Sequence, residues 1–154
     1  MKSPKDTQIT ELAGRNRLAS ELQRAGIEVA RPERDHGVDL VAFLDNGTFR
    51  ACPIQMKVAS RERFDVQRKY ADFPELKLVY VWDVEKDKSS YFVLSYTDAE
   101  NVAEQMGWTK TRSWRGEIKG PAGYGTRHVG EALRKRLESY KVTAPDDWKR
   151  RLFP

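Results

Sequence analysis

With 154 residues the chain has length for one domain with its own hydrophobic core, and not for two. Its 28 Lys and Arg exceed its 23 Asp and Glu for a formal charge of +5, with both signs interspersed, a balance that suits phosphate groups but is unlike a histone-like tail. A single cysteine, Cys52, excludes an internal disulfide, and one Cys with two distant His argues against a structural zinc site.

Ile9 to Ala25 has helical spacing. Leu18, Leu22 and Ala25 share one stripe, which extends back by turns to Arg15 and Glu11, and Gly26 supplies a left-handed cap. Ile27 to Ala30 reads as a short strand closed by Arg31-Pro32. The run to His36 reads as a charged loop, in which Glu33 and Asp35 stand close enough to Gly37 to serve as extra ligands. Gly37 to Leu44 is a strand rich in Val, Leu and Phe. Asn46-Gly47 predicts a hairpin, with the return strand from Phe49 to Val58. Pro53 predicts an edge-like stretch or a bulge, with regular pairing from Ile54 onward.

Asp65 to Phe73 is polar and reads as a helix stopped near Pro74. Lys77 to Asp83 and Tyr91 to Tyr96 are two further strands, after which Thr97 is expected to cap a helix reaching Met106. Gly107 to Arg127 reads as irregular. Val129 to Tyr140 returns to helical spacing through Leu133 and Leu137, and Pro145 opens a last short helix with Trp148 and Leu152 on one face. The apolar stretches are strand-sized, and no apolar run follows the basic residues at the start, so a cytoplasmic protein without a membrane partner is expected. The order predicts a layered α/β domain over residues 1–154: a mixed sheet of about five strands flanked by helices, with its core in 9–96 and a Trp- and Gly-rich helical extension in 97–154.

Within that order, Gln55 and Lys57 lie two residues apart on one strand and so project to the same face, while Ile54, Met56 and Val58 project into the core. The hairpin brings Asp39 alongside them. A carboxylate, an amide and an ammonium on one sheet surface suit phosphodiester hydrolysis. Magnesium takes hard oxygen ligands and lowers the pKa of a bound water, and a Lys can orient that water or neutralise charge on the phosphate.

The run Gly37-Val-Asp-Leu40, a hairpin and then Ile54-Gln-Met-Lys57 resembles the PD-(D/E)XK nuclease signature in its Gln-x-Lys form. The helix ending Leu22-Gln-Arg-Ala-Gly-Ile27 is similar to the opening helix of Holliday-junction-resolvase-like members. The resemblance implies a restriction-endonuclease-like fold and Mg- or Mn-dependent endonuclease action on DNA. Asp39, Gln55 and Lys57 would be the catalytic set, with Asp39 and Gln55 on the metal. In resolvase-like members a helix Glu joins that metal. Counting back from Gly26, its position falls on Arg15 here, and Glu11, one turn earlier, is the carboxylate that could substitute. A homodimer would supply two sites for cutting both strands. The alternatives are a nucleic-acid-binding protein of the same fold without catalysis, and an interaction module of a larger DNA-processing complex.

The segment Gly107 to Gly120 interleaves basic and aromatic residues. Lys110, Arg112 and Arg115 are expected to meet phosphates, and Trp114 either stacks on a base or pins the loop to the core with Trp108.

Overall fold

The structure, a computed structural model, describes residues 4–34 and 36–154. Asp35, one of the two loop carboxylates considered as extra ligands, lies outside the described residues.

Helix α1 (Pro4–Arg24) leads through Gly26, at φ +80°, into β1 (Glu28–Ala30). Strands β2 (Leu40–Asp45) and β3 (Phe49–Val58) form the expected Asn-Gly hairpin, and β3 has the bounds read from the sequence. Its register is unbroken, from Asp45 opposite Phe49 to Leu40 opposite Ile54. Pro53 therefore sits in regular antiparallel pairing with no bulge. It is accommodated because β3 has a neighbour on its other side only from Ile54 onward, so no ladder there asks Pro53 for an N–H.

The segment read as a helix from Asp65 is instead a strand, β4 (Phe64–Gln67), followed by a short 3-10 turn at Arg68–Asp72. It alternates buried Phe64 and Val66 with half-buried Asp65 and Gln67. Its partner is β7 (Gly123–Thr126), formed inside the stretch read as irregular. Gly125 is required there: a Cβ at that position would stand 2.5 Å from the Cβ of Asp65.

Strands β5 (Lys77–Trp82) and β6 (Ser90–Ser95) complete a five-stranded mixed sheet of order β1-β2-β3-β5-β6, antiparallel throughout except where β3 runs parallel to β5. Helix α2 (Tyr96–Gln105) is capped by Ser95, not Thr97. The Ser95 hydroxyl accepts from Asp98 N, and the Asp98 carboxylate accepts from Ser95 N, a reciprocal pair that fixes the helix start two residues early. Helices α3 (Glu131–Leu137) and α4 (Pro145–Leu152) close the chain.

Alternation on β5 divides the apolar side chains into two layers. Leu78, Tyr80 and Trp82 pack with β4, α2 and α3 on one face, while Val79 and Val81 pack with α1 and α4 on the other. Leu18 and Leu22 of α1 and Trp148 and Leu152 of α4 are all buried in the second layer. Ile54 and Met56 join them, which leaves Gln55 and Lys57 on the opposite face beside the aromatic layer. Cys52 is buried in the second layer as a small apolar filler, and burial pushes its thiol up to about 11. No helix among the described residues is long and apolar enough to cross a membrane.

Candidate active site

Asp39 stands one residue before β2, just beyond the last register pair, Leu40 opposite Ile54. Its N–H donates to Ile54 O at 2.8 Å. The β2 backbone turns away there, and the Asp39 carboxylate takes over as acceptor, receiving Met56 N–H at Oδ2 over 2.7 Å. The carboxylate is thereby fixed at the open end of the β2–β3 ladder, held by a charge-assisted bond.

Next along β3, the Gln55 amide donates from Nε2 to Met56 O at 3.3 Å. Its Oε1 is buried and has no hydrogen-bond partner among the described residues. Lys57 Nζ lies 3.5 Å from Asp65 Oδ2 and 5.1 Å above the Tyr70 ring, and both members of the Lys57–Asp65 pair are mostly covered. Asp65 Oδ1 also faces Arg63 Nε at 3.6 Å. Tyr80 donates its hydroxyl to Asp65 O at 2.7 Å. Burial, then the nearby Asp65 and Tyr70, push that phenol well above its ordinary pKa, so it stays protonated and keeps β4 in place.

Helix α1 contributes the remaining wall. Gly14 lets it approach β3 closely: a Cβ there would fall 2.5 and 2.7 Å from the two Val58 methyls. The turns around Gly14 carry Glu11 and Arg15 to the site. Glu11, Arg15, Asp39, Gln55 and Lys57 all line one cleft of about 300 Å³, so the structure brings together the trio and the substitute carboxylate named from the sequence, whereas Glu33 does not line it.

Arg63, Asp65 and Gln67 also line that cleft. Sequence reasoning missed them because a polar segment was given helical spacing. The signal that could have found them is the two-residue alternation of Phe64 and Val66. The same three residues line a second cavity of about 290 Å³, which runs over β7 past Ser113, Thr126 and Arg127. The cleft thus continues as a groove.

The Gly107–Gly120 segment lines none of the first cavity and reaches the groove only through Ser113. Lys110 is exposed, whereas Arg112 and Arg115 both face Glu117, at 3.7 and 3.0 Å. Trp114 is only 6% exposed and packs in the aromatic layer with Arg68 over its ring, so burial withdraws its face from base stacking. Trp108 is buried beside Phe64, as the pinning alternative expects.

Comparison of the chain with protein-family models, with curated proteins and with solved structures found no match in any of the three. The chemistry of the cleft is therefore argued from its own donors. Three carboxylates (Glu11, Asp39, Asp65) face three cations (Arg15, Lys57, Arg63), a formal balance of zero. Among the described residues no three His, Cys, Asp or Glu side chains cluster as a ready cation cage. The oxygen set meets the minimum for magnesium or manganese: the fixed Asp39 carboxylate and the orphaned Gln55 Oε1 are hard donors, and water and substrate phosphate oxygens ordinarily fill the rest of such a shell.

Proposed function

We propose that this cleft binds nucleic acid and hydrolyses a DNA phosphodiester bond with the help of magnesium or manganese. The observation that carries this reading is the buried, unpartnered Gln55 Oε1 beside the Asp39 carboxylate. A buried acceptor without a donor is costly to keep, and a ligand supplying a cation or a hydrogen would relieve it. The antiparallel β1-β2-β3 meander joined in parallel to β5 supports a restriction-endonuclease-like assignment of the mixed sheet.

When bound, the ion supplies Lewis acidity and a water of lowered pKa. Asp39 and Gln55 would hold it. Asp39 is oriented for that task by Met56 N–H, and Gln55 by its own bond to Met56 O. Lys57, set between Asp65 and the Tyr70 ring, presents an ammonium that neutralises charge gathering on the phosphate and hydrogen-bonds the attacking water. The groove over β7 gives the strand a path away from the cut.

A second reading, nucleic-acid binding without cleavage, is favoured by one observation: Arg15 lies in the cleft as a cation, and it reduces the attraction for a metal ion. Both are tested by incubating the protein with labelled junction, flap, duplex and single-stranded DNA in Mg²⁺ or Mn²⁺, beside Lys57→Ala. Cleavage that needs the ion and is lost in Lys57→Ala is the expected result. Binding without cleavage in every arm would leave the second reading, and neither binding nor cleavage would remove both.

A further inference from the structure

Two polar atoms in the cleft are buried without a hydrogen-bond partner among the described residues: the acceptor Gln55 Oε1 and the donor Arg15 Nε. Unpartnered Nε atoms also occur at Arg136 and Arg151, yet both of those guanidiniums donate other N–H groups to backbone carbonyls. Arg136 reaches Ala132 O at 3.1 Å, and Arg151 reaches Ser139 O and Lys141 O at 2.8 and 3.1 Å. Arg15 makes no such bond and no ion pair among the described residues. It is half-buried all the same, and three carboxylates line the same cleft.

The other two cations there share one carboxylate, Lys57 lying 3.5 Å and Arg63 3.6 Å from Asp65. Among the described residues Arg15 is the one of the three that faces no carboxylate at ion-pair distance. A guanidinium presents a planar fork of N–H donors that matches the oxygens of a phosphate, and phosphate is the anion the cleft would meet on nucleic acid.

We propose that Arg15 binds a phosphate oxygen of the nucleic acid, so that α1 contributes an anion clamp to the cleft. This rests on the nucleic-acid reading of the site and deepens it. Arg15 grips phosphate from the helix side, opposite the β3 side where Asp39 and Gln55 stand. The pair of unpartnered atoms then has one ligand: phosphate oxygens satisfy Arg15, and a cation or water carried with the phosphate satisfies Gln55. The phosphate is either an internal diester or a terminal monoester, which share this chemistry.

The test is made in EDTA, so that it is independent of cleavage. Anisotropy titrations use labelled single-stranded and duplex DNA with and without a 5′-phosphate, over a range of salt, against wild type, Arg15→Gln and Arg15→Lys. Arg15→Gln is expected to bind about tenfold more weakly, with the log–log salt slope reduced by about one, the share of a single phosphate contact. Arg15→Lys is expected to recover the slope but not the whole affinity, since it keeps the charge and loses the fork. Dependence on the 5′-phosphate identifies a terminal monoester, and its absence an internal diester; both support the clamp. Because Arg15 has no internal partner among the described residues, Arg15→Gln is also expected to melt no lower than wild type.

Equal affinity and slope in wild type and Arg15→Gln would overturn the clamp while leaving the cleft's nucleic-acid reading intact. A melting temperature well below wild type would overturn it in favour of a structural role. Failure of wild type to bind DNA in every arm would overturn both readings together.

Discussion

Removing the Asp39 carboxylate tests folding and chemistry at once. Asp39→Ala deletes the acceptor of Met56 N–H, a bond of 2.7 Å at a buried residue, and the ladder offers that N–H no second partner because β2 has ended. An orphaned buried donor of this kind costs about 1–3 kcal/mol. Against the ~5–15 kcal/mol that holds a domain together, that is a sizeable share, and with a urea m-value of ~2 kcal/mol/M it lowers the unfolding midpoint by about 1 M. Asp39→Asn keeps a carbonyl oxygen in the same place and loses only the assistance of the charge, about 1 kcal/mol or less. The two variants should therefore separate in urea, Ala well below Asn and Asn just below wild type. In calorimetric titration with Mn²⁺ both should lose the binding heat, because a neutral amide replaces or nothing replaces the charged ligand. Equal midpoints for Ala, Asn and wild type would refute the structural role given to this bond. Mn²⁺ binding by Asp39→Asn equal to wild type would remove Asp39 from the ion's shell.

Gln55→Glu adds a second carboxylate beside Asp39 and is expected to tighten Mg²⁺ binding, read by calorimetry; stability and DNA affinity both indifferent to millimolar Mg²⁺ would sink the catalytic reading. Neutralising Lys110, Arg112 and Arg115 together should lower the salt slope of DNA binding by less than the roughly three units of three full contacts, since Glu117 already occupies two of them; an unchanged slope returns the segment to structure. Gly14→Ala gains about 1 kcal/mol of helix propensity but drives a methyl into Val58, an overpacking cost of about 1–3 kcal/mol, so the melting temperature should fall; a rise would show that α1 and β3 yield freely. Burial raises the Cys52 thiol from 9.0 to about 11, so the folded state holds a proton that the unfolded chain releases. The thiol's contribution to stability is intact below pH 9.0 and declines as pH rises toward about 11, and a thiol reagent at pH 8 should label Cys52 only after urea is added.

The central part of the site was legible because its determinants are local. Asn46-Gly47 fixes the hairpin, the two-residue period puts Gln55 and Lys57 on one face, and the hairpin brings Asp39 beside that strand, bonded to Ile54 O and Met56 N–H. What escaped the sequence depends on distant partners. Phe64-Asp-Val-Gln67 is too short to declare itself and is paired as a strand with Gly123–Thr126, roughly sixty residues away, before the chain enters a 3-10 turn at Arg68. Pro53 was read correctly as lying in an edge-like stretch, since β3 gains its second neighbour only from Ile54, and only the alternative of a bulge there is not found. The cap of α2 was readable in hindsight from Ser95 and Asp98, three apart, but Thr97 offered a competing hydroxyl.

The pairing of β4 with β7 also bears on the order in which the molecule comes into being. Phe64 meets Thr126, and Gln67 meets Gly123. On a ribosome adding ~5–20 residues per second, β4 waits about 3–12 s for its partner to emerge. In that interval Asp39, Gln55 and Lys57 already exist on a hairpin that can close locally, but Asp65 has no β7 to anchor the strand that carries it to Lys57. The nascent chain thus holds Asp39, Gln55 and Lys57 before it holds the wall that fixes the ammonium. A polypeptide arrested before Gly123 would carry Asp39, Gln55 and Lys57 and lack the finished cleft, which is complete only with the last quarter of the protein.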